Sequence, residues 1–123
     1  MRIKAKESEI LRACLDLLAA ERILAFRMNV GTMKIDERFI KFGIPGMADI
    51  LAFVKHEKWP GTDVCAWTIT PLWIETKSSR GRQRMIQKSF EQMVRAADHS
   101  YIVAQSSDDL WERIKRLRGG CVD

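Results

Sequence analysis

The chain has 123 residues, of which 46% are hydrophobic and 30% charged, a balance that fits one globular domain and excludes a disordered, fibrous or multi-span membrane chain. Lys and Arg number 21 against 16 Asp and Glu, a formal net charge of +5 that suits a polyanionic partner without requiring one. Three scattered cysteines (Cys14, Cys65, Cys121) and two histidines (His56, His99) give neither a disulfide framework nor a zinc-site spacing, whereas oxygen-ligated magnesium or manganese stays open. No apolar run approaches the roughly 20 residues that span a bilayer. Met1 to Glu7 turns charged and helical at once, without a secretory segment, so a cytoplasmic setting is expected.

A first helix is expected from about Lys6 to Ala20, with Ile10, Leu11, Cys14, Leu17 and Leu18 as its buried stripe. One turn back, that stripe reaches Glu7, while Glu9 falls with Arg12 and Asp16 on the opposite face. Glu7 is thus either an acid pointing inward toward a metal or a helix-start carboxylate favoured by the macrodipole. Ile23 to Met28 reads as a strand, and Glu37 to Phe42 as a short extended segment within the connection that follows. Gly43-Ile44-Pro45-Gly46 is a turn signal, after which Asp49 to Val54 forms a mostly buried strand.

Trp59 to Asp63 is a surface turn, and Lys55 to Val64 is longer than a tight hairpin. The next strand, from about Ala66 to Lys77, tolerates Pro71 only at an edge or bulge. A second helix is expected over Arg82 to Ala97, burying Met85, Ile86, Phe90, Met93 and Val94. Tyr101 to Gln105 is a strand, and Ser107 caps a last helix from Asp108 to about Leu117 that carries acids first and bases last. The order is α-β-β-β-α-β-α in a single domain, 1–123. Trp59, Trp67, Trp73 and Trp111 are open between core and interface.

Chemistry gathers where two of these strands meet. Paired antiparallel, the start of the strand at Asp49 lies beside the end of the strand at Glu75-Thr76-Lys77. Glu75 and Lys77 share a face, so two acids and an amine converge, and the Thr76 carbonyl is a further hard donor. Such a group holds a divalent cation and orients a water; an isolated Glu-x-Lys is more simply a surface ion pair. Arg80 and Arg82 flank Gly81 in the loop beyond and suit phosphate contacts. Arg84, Lys88 and Arg95 read as a solvated helix face.

At these residues the chain resembles the virus-type replication-repair nuclease (VRR-NUC) domain, a branch of the restriction-endonuclease-like superfamily. The resemblance is carried by Glu7-Ser8-Glu9-Ile10, Arg27-Met28-Asn29-Val30-Gly31, Gly43-Ile44-Pro45-Gly46-Met47-Ala48-Asp49-Ile50, Glu75-Thr76-Lys77, Gly81-Arg82, and Gln87 with Phe90. Tyr101 to Ala104 and Ser107 to Leu110 fit its closing strand and helix, whereas Ala97-Asp98-His99-Ser100 lacks the family's usual glycines.

The resemblance implies a restriction-endonuclease-like α/β core, a central mixed sheet flanked by helices. It implies that Asp49, Glu75 and the Thr76 carbonyl bind magnesium or manganese, with Glu7 as an outer carboxylate. Lys77 would activate the water, and Gln87 would hydrogen-bond Lys77, a metal-bound water or a phosphate; outside the family it is a surface helix glutamine. Arg27 and Asn29 either brace the site or touch DNA. The implied activity is a metal-dependent endodeoxyribonuclease leaving a 5′-phosphate and a 3′-hydroxyl. Stand-alone members resemble viral enzymes that cut branched DNA, such as four-way junctions, as homodimers. The alternative is a non-catalytic nucleic-acid-binding module.

Overall fold

The computed structural model describes residues 6–28, 31–59 and 61–119, without the side chains of 31–33 and 40–42. Asn29 and Cys121 lie outside the described residues. The elements run α1 (Glu7–Ala20), β1 (Leu24–Arg27), β2 (Gly31–Ile35), β3 (Arg38–Phe42), β4 (Ile50–Glu57), β5 (Trp67–Thr76), α2 (Met85–Ala96), β6 (Ser100–Ala104) and α3 (Ser107–Leu117).

A four-stranded mixed sheet has the order β1-β4-β5-β6. β4 is antiparallel to both β1 and β5, and β6 runs parallel to β5. The parallel pair requires a crossover, which α2 supplies. Ile50, Ala52 and Val54 of β4 and Leu72 and Ile74 of β5 alternate onto one face, where Ile10, Cys14 and Leu18 of α1 and Leu110 and Ile114 of α3 cover them. Trp73, Tyr101 and Val103 turn to the other face, under Phe90 and Val94 of α2. Helices therefore lie on both sides of the sheet. No helix of the described residues is long and apolar enough to cross a membrane.

Several expectations change. The segment 37–42 is half of a separate hairpin, β2 and β3, joined through Asp36 at φ 57°. Its loop residues, Asp36-Glu37, lack the glycine that normally announces such a turn. α2 starts at Met85 rather than Arg82, and Gln87, Phe90 and Val94 form its buried stripe. Met85, Ile86 and Met93 are exposed instead, at 82%, 44% and 51%, because a twelve-residue helix laid on a sheet hides only one narrow face.

Ser106, not Ser107, caps α3, its hydroxyl accepting from the Asp109 N–H at 3.0 Å. Pro71 sits one residue before β5 begins to pair with β6, so that side of the strand is an edge there. Cys14 is fully buried in the core, and burial pushes its thiol up to about 11. Among the tryptophans, Trp73 and Trp111 pack against the core, while Trp59 and Trp67 are about half exposed.

Candidate active site

The β4–β5 register, Ile50 opposite Ile74 and Leu51 opposite Trp73, continues to set Asp49 against Glu75. One Asp49 carboxylate oxygen accepts from the Thr76 backbone N–H at 2.8 Å and from the Thr76 hydroxyl at 2.9 Å. The acid is thereby fixed to the neighbouring strand rather than left as a free rotor. Met28 donates its N–H to the Asp49 carbonyl at 2.7 Å, which holds the same residue from the β1 side.

Glu75 is 2% exposed and Lys77 7%, so the pair is no surface ion pair. Burial, together with the facing Asp49 carboxylate, pushes the Glu75 carboxyl up to about 8, and the nearby Lys77 ammonium offsets only part of this. Lys77 is held at both ends: its N–H donates to the Ala104 carbonyl of β6 at 3.0 Å, and its Nζ lies 3.7 Å from a Glu7 carboxylate oxygen. Glu9 turns back instead to accept from the Lys6 N–H at 3.3 Å.

Gln87 is 4% exposed and ties α2 to the acids. Its Oε1 accepts from the Arg84 N–H at 2.8 Å and caps the helix, which directs its amide nitrogen to both Glu75 oxygens, at 3.0 and 3.3 Å. The reading of Gln87 as a surface glutamine is therefore overturned. Gln87→Leu should lower the free energy of unfolding by about 2 kcal/mol, since it removes a cap and strips a buried carboxyl of its donor; urea titration measures this.

Gly46, at φ 82°, brings the Asp49 loop against α2, and a Cβ there would meet the Ile86 carbonyl oxygen at 2.3 Å. The result is a cavity of about 320 Å³ bordered by Arg27, Asp49, Glu75, Arg84 and Gln87. Arg84 is exposed, as a solvated position requires, and as the N-cap of α2 it also borders the cavity, a placement no helix-start signal announces. Arg27 also borders the cavity. Arg80 and Arg82 are exposed on the adjoining loop and do not border it.

Among the described residues no three His, Cys, Asp or Glu side chains are grouped for a metal. Glu7 pairs with Lys77 at 3.7 Å, and its charge also contributes to raising the Glu75 carboxyl. The donor set of two carboxylates and a backbone carbonyl nonetheless fits a hard divalent cation, which would offset the burial and the Asp49 repulsion that together lift the Glu75 carboxyl. No protein-family model, curated protein or solved structure matches the chain.

Proposed function

We propose that this protein is a metal-dependent endodeoxyribonuclease with a restriction-endonuclease-like core of the VRR-NUC type. The observation that carries the reading is the convergence of Asp49 and buried Glu75 from adjacent strands, with Lys77 two residues on and Gln87 bonded to Glu75. Magnesium or manganese would be held by Asp49, Glu75 and the Thr76 carbonyl, and when bound it supplies charge stabilisation at the phosphoryl oxygen and a more acidic water.

This chain's residues do the rest. Thr76 keeps Asp49 oriented through two hydrogen bonds, and Gln87 does the same for Glu75. Lys77, steered by Glu7, holds the attacking water and offsets negative charge as it develops. Arg27 and Arg84 receive the flanking phosphates within the cavity, and Arg80 and Arg82 extend that cationic surface along the loop. Branched DNA, such as a four-way junction, is the proposed substrate. A homodimer is the proposed assembly, because two symmetric cuts call for two symmetric sites.

The test is cleavage of labelled linear, flap and four-way-junction DNA with magnesium, manganese or EDTA. Cutting should require the metal and disappear in Asp49→Asn; cutting that survives the substitution sinks the site, and metal-independent binding without cutting favours a binding module. Arg84→Ala should lower junction affinity on every sequence and reduce the salt dependence of binding by about one ion, read by anisotropy across a salt series in EDTA.

A further inference from the structure

At the far end of β5 a second, basic cavity of about 440 Å³ is lined by Arg22, Lys55, His56, Glu57, Trp67 and Arg118. Glu75 and Trp67 are eight residues apart on one strand and alternate onto the same side of it, so about 27 Å separates the two sites. Three cations here face one carboxylate. The Lys55 ammonium lies 4.7 Å over the Trp67 ring, and Arg118 donates through Nε to the Lys55 carbonyl at 3.3 Å. His56 is pinned by its Nε2 contact of 2.8 Å with the Thr70 hydroxyl.

Arg22 reaches the cavity from the end of α1. The Ile23 N–H bonds the Leu18 carbonyl at 2.9 Å and the Arg22 N–H bonds the Ala19 carbonyl at 3.1 Å, the pattern of a Schellman turn ending α1. In that turn Arg22 occupies the left-handed position, φ 57°, where glycine meets no steric penalty and an arginine does. Asp98 holds the equivalent position after α2, at φ 65°, so what marks Arg22 is that it also lines the cationic cavity.

We propose that this cavity holds an unpaired nucleotide of single-stranded DNA, its base stacked on Trp67 and its phosphates met by Arg22, Lys55 and Arg118. Trp67 is 54% exposed, and an aromatic plane with one ammonium over it and two guanidiniums lining the same cavity matches a ligand that is itself an aromatic plane beside an anion. The volume lies in the range of sites that enclose one small organic group. This inference goes beyond the nuclease reading and stands without it, because the binding needs neither metal nor cleavage.

The experiment uses the full chain in EDTA with a fluorescein-labelled fifteen-nucleotide oligo-dT, and with inorganic phosphate and a duplex of equal length for comparison. Trp67→Ala should weaken oligo-dT binding roughly tenfold or more while leaving duplex binding within about twofold, and Trp59→Ala should change neither. Arg22→Gly should weaken oligo-dT binding while raising the Tm by a few degrees, a pairing that a structural role for the arginine would reverse. The proposal is overturned if Trp67→Ala and Arg22→Gly bind oligo-dT as the parent does, if both ligands are lost in equal measure, or if inorganic phosphate competes as well as oligo-dT.

Discussion

Replacing Glu75 by glutamine should abolish DNA cleavage, by roughly a thousand-fold or more, and at the same time make the metal-free protein more stable above neutral pH. The second half follows from the raised carboxyl. In the unfolded chain Glu75 titrates near its ordinary 4.5, and in the fold near about 8. Below 4.5 both states are protonated and the group costs nothing. Between the two values the folded state retains a proton that the unfolded state has lost, so stability falls as pH rises, by up to about 1.4 kcal/mol per pH unit. Past about 8 the buried charge is borne in full.

In EDTA the Tm should therefore decline from pH 5 to pH 9, and Glu75→Gln should flatten that decline. Magnesium should restore the parent most at high pH, where the carboxylate is already ionised, and should do little for the variant. Calorimetric scans across this range, with and without the metal, measure all three effects. A Tm that is indifferent to pH in the parent would remove the buried-acid account, whatever the fate of cleavage.

Gly46→Ala should be markedly more damaging than the same change at Gly61 or Gly81. The new carbon would sit 2.3 Å from the Ile86 carbonyl oxygen and 2.7 Å from its carbon, both backbone atoms, so no side-chain rotation relieves it. The position also lies at φ 82°, which an alanine resists. Together these should cost about 3 kcal/mol and lower the Tm by roughly 10 °C. If α2 instead slides away to make room, Gln87 leaves Glu75 and activity falls even in the surviving folded molecules. By contrast, Gly61→Ala, at φ 81° with nothing within 4 Å of its Cβ, should cost only about 1 kcal/mol. Thermal melts of the two variants separate collision from conformational strain.

Local signals in the chain carried much of this arrangement. The spacing of Ile10, Cys14 and Leu18, the alternation through Ile50 to Val54, and the Pro-Gly turn before Asp49 each reflect a period or a turn chemistry that neighbouring residues impose on themselves. The meeting of Asp49 with the Glu75 strand was legible for the same reason, since antiparallel pairing leaves one register once both strands are recognised. What stayed hidden depends on partners far along the chain. Nothing local tells Met85, Ile86 and Met93 that only one side of α2 reaches the sheet, or tells Arg84 that its neighbour three residues on will cap the helix and turn it toward the acids. The helical stripe separates Glu7 from Glu9, but nothing local names Lys77, seventy positions away in the chain, as the partner that Glu7 meets.

Glu7 on α1, Asp49 before β4, Glu75 to Lys77 ending β5, Gln87 on α2 and Ala104 on β6 are spread along most of the polypeptide, yet each bonds directly to another of them or to its neighbour. The β4–β5 pair alone brings Asp49, Glu75 and Thr76 together, whereas Gln87 and the Ala104 anchor of Lys77 join them only when α2 and β6 complete the crossover beside β5, at the loop-closing cost that non-local contacts carry. If the proposed nuclease reading holds, a chain cleaved before α2 should keep the two acids but lack Gln87 and the β6 anchor of Lys77, and should not cut DNA.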